Sequence, residues 1–148
     1  MTVDPRQAAA LRSIERLLAD PERRLAEIEA QEIGSEGGWQ IAVLPTNPAA
    51  AQLRLLTTTR DDDEVVVYFG HTHVYLSASL PSDLVPDVEH IAEAVFAGRF
   101  AESGGGDDAF VRIEAPDGAK QGMGRLHLPW PWRWRRTRSY EPYDDGGR

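Results

Sequence analysis

The chain has no cysteine, which excludes a disulfide framework, a thiol nucleophile and every zinc site built on thiolates. A metal, if bound, would rest on His and carboxylate. Lysine is nearly absent too: Lys120 is the one Lys among 16 basic residues, a bacterial-type usage expected of a GC-rich genome. No apolar stretch approaches the roughly 20 residues that span a bilayer. The first thirty residues mix Arg, Glu and Asp where a signal peptide would be apolar, which points to a cytoplasmic protein. The triple glycine at 104–106 is followed by no Gly-Lys-Ser or Gly-Lys-Thr, so it is not a phosphate cradle. No Gly-x-Ser-x-Gly elbow surrounds any serine, and there is no internal repeat.

What remains is 148 residues, 41% hydrophobic and 27% charged, the size and composition of one globular domain. The net charge of −8 opposes a nucleic-acid or anionic-membrane partner. The charge is uneven. Residues 1–128 carry 21 acids against 11 basic residues, and residues 129–148 carry 5 Arg against 3 acids.

Asp4-Pro5 is a helix start, with an N-cap acceptor and a proline preset for the first turn. Leu11, Ile14, Leu17 and Leu18 then form a stripe, and Asp20-Pro21 repeats the signal, so a helical segment is expected over 4–33, ended by Gly34–Gly38. From Trp39 the period becomes two. Trp39, Ile41 and Val43 predict a strand closed by Pro45, and residues 52–59 and 64–69 predict a hairpin around Asp61-Asp62-Asp63. Gly70-His71 reads as a two-residue turn. That turn sets Phe69 opposite Thr72, Val67 opposite Val74 and Val65 opposite Leu76, an apolar face, with Tyr68 beside His73 and Val66 beside Tyr75 on the reverse. Val88, Ile91, Ala92, Val95 and Phe96 predict a helix after Pro86, and 110–113 with 124–128 a second hairpin.

The element order predicts an α+β fold: a mainly antiparallel sheet of about five to six strands, with N-terminal helices and one internal helix packed against it. Residues 1–128 form a single domain in this reading, and 129–148 a Trp/Arg-rich C-terminal segment docked on it, with a frayed end.

Three constellations bear on function. His71-Thr72-His73 would share a metal on a continuous strand, but the turn reading separates the rings, so no metal or other cofactor is implied. Asp61-Asp62-Asp63-Glu64 lacks the glycine and distal Glu of an EF-hand and reads as a solvated turn. In the tail, Trp130, Trp132 and Trp134 alternate with Arg133 and Arg135, a pattern suited to a protein-binding anchor, since Trp and Arg are enriched at interface hot spots. Packing of the tail on its own domain and stacking on single-stranded nucleic acid are the alternatives, the latter opposed by the acidic body. Together these features point to a small acidic protein that binds another protein, of basic character, without catalysis, as immunity proteins or secretion chaperones do. The competing expectation is a small enzyme or ligand-binding domain using the Tyr68, His73 and Tyr75 face. A homodimer is compatible with either.

Overall fold

The computed structural model describes residues 4–18, 26–70, 72–103, 110–114, 120–124 and 137–143. Helix α1 (Pro5–Leu17) begins where the sequence signals it: Asp4 is the N-cap, its carboxylate accepts from the Arg6 amide, and Pro5 occupies the first turn. A five-stranded antiparallel sheet follows in the order β1 (Ala26–Ile33), β2 (Gly37–Pro45), β3 (Leu53–Thr59), β4 (Glu64–Phe69) and β5 (Thr72–Ser77). Helix α2 (Pro81–Ala97) then leads to a second antiparallel sheet of β6 (Phe100–Ser103), β7 (Phe110–Glu114), β8 (Lys120–Gly124) and β9 (Thr137–Ser139), ordered β8-β7-β6-β9. The α+β class and the antiparallel pairing are thus as expected.

The helical expectation for 4–33 fails over its last third. Residues 26–33 are a strand, and all eight pair with β2, from Ala26 opposite Pro45 to Ile33 opposite Gly38. Glu, Ala and Gln are good helix formers, but pairing with a buried neighbour strand outweighs so weak a preference. The glycines that were to end a helix instead turn a hairpin: Gly34 and Gly37 have φ of 67° and 83°. Helix α2 starts five residues earlier than Pro86 suggested, with Pro81 in its first turn; Pro86 sits inside it, exposed to solvent. The second hairpin pairs 110–114 with 120–124, Phe110 opposite Gly124, not with 124–128. Strand β6 carried no clear signal, being four residues long between a helix and a glycine run.

Both helices lie on one face of the five-stranded sheet. Ile14 of α1 and Leu84, Val88, Ile91 and Val95 of α2 are buried with Trp39, Ile41, Val43, Leu53, Leu55, Val65, Val67 and Phe69 in one core. The β4–β5 register is the one the turn predicted, pairing Phe69–Thr72, Val67–Val74, Val65–Leu76, Tyr68–His73 and Val66–Tyr75, with Val65, Val67 and Phe69 inward and Tyr68 and Tyr75 outward. Phe69 and Phe100 meet edge to face at 5.5 Å, joining the two sheets. The C-terminal stretch completes the core: the buried Tyr143 packs on Phe96 and donates its hydroxyl to the Ala51 carbonyl at 2.6 Å. Burial raises the Tyr143 pKa.

Gly98 ends α2 in the left-handed region (φ 69°), and a Cβ there would stand 2.7 Å from the Pro142 nitrogen and 2.9 Å from the Tyr140 carbonyl oxygen. Gly98→Ala is therefore expected to cost about 2 kcal/mol, combining backbone strain with a clash against the C-terminal stretch. Chemical denaturation measures it; an unchanged midpoint would contradict both the left-handed backbone at Gly98 and the passage of the C-terminal stretch over it.

Candidate functional site

The outward face of the five-stranded sheet presents a row running across every strand: Glu29, Ala42, Arg54, Tyr68 and His73 stand opposite one another in turn. Both helices are on the other side, so the row faces away from the core. The tyrosines are the exposed part: Tyr68 is 40% and Tyr75 55% accessible, unusual for large side chains on a strand. His73 lies between them, 5.6 Å from each ring and edge-on to Tyr75 at 85°. Alternation explains this locally. Val65, Val67 and Phe69 take the core side of β4, which leaves Val66 and Tyr68 for the other. The three side chains singled out from the sequence are therefore one contiguous aromatic ledge, bordered by the exposed Arg54.

His71 lies outside the described residues, as do Trp130, Trp132, Arg133, Trp134 and Arg135. Strand β4 ends at Phe69 and β5 begins at Thr72, with Gly70 between them at φ 60°. Among the described residues no group of three His, Asp or Glu side chains could hold a metal ion. The acidic run is a turn: the Asp62 carboxylate accepts from the Glu64 amide at 3.0 Å.

A second constellation, not legible in the sequence, lies at the start of α1. Arg6 is 6% exposed. Its Nη2 meets Asp4 Oδ2 at 3.0 Å and its Nε meets Oδ1 at 3.3 Å, a two-pronged pair. The same guanidinium donates to the carbonyls of Arg60 (3.0 Å), Ala78 (3.1 Å) and Asp62. Asp4 Oδ2 also accepts from the Trp39 indole at 3.0 Å. One side chain thus ties α1 to the β3–β4 turn and to the end of β5. Its donors serve three backbone carbonyls, of which that of Ala78 is buried.

Burial raises the Asp4 pKa, but the hydrogen bonds and charge of Arg6 and the Trp39 N–H outweigh it, and the net shift is downward from 3.8. A carboxylate held below its unfolded value adds stability that is full above that value and is lost as pH falls through the native one. The stability gap between wild type and Asp4→Asn should consequently narrow as pH is lowered from neutral to about 2. Thermal melts across that range test this; a constant gap would mean that the charge of Asp4 contributes nothing.

Two clefts flank this anchor. One, about 330 Å³, is lined by Asp4, Gln7, Glu32, Trp39 and Arg60 with the β1–β2 turn. The other, about 550 Å³, lies over Arg6, Asp61–Asp63 and Leu80. The aromatic ledge lines neither. At the other end of the sheet, the buried Glu102 accepts a hydrogen bond from the Tyr140 hydroxyl beneath the β4–β5 turn, where a Cβ on Gly70 would overlap the carboxylate. Tyr140 stacks on Phe100 at 4.8 Å.

Compared with protein-family models, with curated proteins and with solved structures, the chain gives no match.

Proposed function

We propose that this is a small acidic protein that binds another protein, without catalysis, through the open face of its five-stranded sheet, and that the partner is basic. The observation that carries the reading is the contiguity of Arg54, Tyr68, His73 and Tyr75 on the sheet face opposite both helices. Tyr and Arg are over-represented at the energetic centres of protein interfaces. Tyrosine rings also accept Lys and Arg over their faces. The net charge of −8 would steer a basic partner toward the molecule. A small ligand would favour a concavity, and the two clefts formed by the described residues around Asp4 and Arg6 are lined by other residues. A protein surface is therefore the better-fitting occupant of the ledge.

The segment with Trp130, Trp132, Arg133, Trp134 and Arg135 belongs to the same proposal as an additional anchor. Cutting the chain after Leu128 would not isolate it, because Tyr143 and β9 would be lost with it. Replacing the three tryptophans by Ala does. The experiment is affinity capture from lysate of the native host with wild type, with the Tyr68→Ala/His73→Ala/Tyr75→Ala variant and with the triple Trp variant, followed by reconstitution with the purified captured protein. One basic protein held by wild type at near-equal stoichiometry, and released by the ledge variant, is expected. Equal capture by wild type and the ledge variant would remove the ledge from the interaction.

A further inference from the structure

We infer that the free edge of β1 is a strand-addition site for an extended basic segment, with one cationic side chain of that segment entering the cleft beside Glu32. This surface lies at the opposite edge of the sheet from Tyr75, and the inference does not depend on the ledge. Strand β1 ends the five-stranded sheet, and among the described residues nothing pairs with its outer edge. It is long for an edge, eight residues paired without a bulge or a proline. Most of the devices that blunt such edges are missing, and what is present is charge. Glu27 and Glu29 stand opposite Leu44 and Ala42 on the outward face, while Glu32 stands opposite the buried Trp39 on the helix side.

The cleft supplies an observation independent of that charge. The Gln7 side chain is 7% exposed and lines the cleft together with Glu32. Its one hydrogen bond among the described residues is a long contact of 3.5 Å from Nε2 to the Gln31 carbonyl, and its Oε1 accepts none. A buried amide oxygen without a donor is costly, and an ammonium or guanidinium placed by an added strand next to Glu32 would serve it. Asp4 is already engaged by Arg6 and Trp39. Arg60 lies over Gly37, on the neighbouring strand.

A second copy of the chain fits this edge less well than a basic strand, because each copy brings three Glu and no cation to the ladder. Antiparallel self-pairing centred on Glu29 sets that residue against itself, and pairing centred between Glu29 and Ala30 sets Glu27 against Glu32; like charges directly opposite destabilise a ladder. A basic strand running antiparallel to β1 meets Glu32, Glu29 and Glu27 in that order. Its basic residues must therefore follow the spacing K-x-x-K-x-K. Apolar residues at its third and fifth positions fall on the helix-side face, opposite Ala30 and Ile28.

The test is hydrogen exchange and calorimetry at low salt with the capped hexapeptide Lys-Thr-Val-Lys-Val-Lys, its reversed-order counterpart, and the version with Glu for Lys. The first peptide should bind with a Kd of about 1 mM or tighter and slow exchange in 26–33; the other two should bind at least about tenfold more weakly, or not at all. Glu29→Gln/Glu32→Gln should cost about tenfold in Kd while leaving exchange in β2–β4 of the free protein unchanged. Equal affinity for the two Lys peptides, protection appearing away from 26–33, or absence of binding at low salt would each overturn the inference. None of these results bears on the ledge.

Discussion

Arg6→Ala is expected to destabilise the domain by about 3–5 kcal/mol, the range seen when one partner of a buried ion pair is removed. Two losses combine. The Asp4 carboxylate, nearly buried, keeps only the amide of residue 6 and the Trp39 indole as donors, and the carbonyls of Arg60, Asp62 and Ala78 lose the guanidinium that served them. Buried groups left without partners carry the full cost of desolvation. For a domain of this size the melting temperature should fall by about 10 °C or more. Arg6→Lys should recover only a small part, since a single ammonium cannot replace a fork that reaches a carboxylate and three carbonyls at once. The Arg6→Ala/Asp4→Ala double variant should cost less than the sum of the two single changes, because the residues share one network. A loss under about 1 kcal/mol would mean that solvent replaces the guanidinium at little cost, as for a surface pair.

The second large effect concerns binding. Tyr68→Ala/His73→Ala/Tyr75→Ala is expected to weaken the captured partner at least about 100-fold, roughly 3 kcal/mol, while leaving the fold intact. The fold survives because these side chains are outside the core formed by Val65, Val67, Phe69 and the two helices, and exposed substitutions usually change stability by about 0.5 kcal/mol or less. The loss should appear mainly in the dissociation rate, as is usual for contact residues. Raising salt, by contrast, should slow association, since steering by the acidic body is screened over about a nanometre. Denaturation midpoints and binding kinetics on the same variant separate the two effects.

Much of the fold was legible because alternation and turn chemistry agree along residues 37–77. Trp39, Ile41 and Val43 are the inward residues of β2, and the Gly70-His71 turn set the β4–β5 register to the residue. From that register the ledge followed directly, since it is only the reverse side of a face whose apolar residues are unmistakable. The same logic was available for β1: Ala26, Ile28 and Ala30 alternate with Glu27 and Glu29 immediately before a glycine-rich turn. There the high helix propensity of Ala, Glu and Gln masked the pattern, and only pairing with β2 decides it.

Other features lay beyond any local signal. Asp4 is readable as a helix cap, but its bond to Trp39 spans 35 positions and the Arg6 contacts span more than 50. The burial of Glu102 under Gly70 likewise depends on how the second sheet meets the first. Nothing in Ala101-Glu102-Ser103 distinguishes that carboxylate from an exposed one.

The most direct measurement is hydrogen exchange of the reconstituted complex with the captured partner, compared with the free protein. Slowed exchange concentrated in 53–59 and 64–77, the strands carrying Arg54, Tyr68, His73 and Tyr75, is the predicted result. Protection confined to the Asp4–Arg60 clefts or to the second sheet, with 64–77 unchanged, would contradict it and move the functional surface away from the ledge.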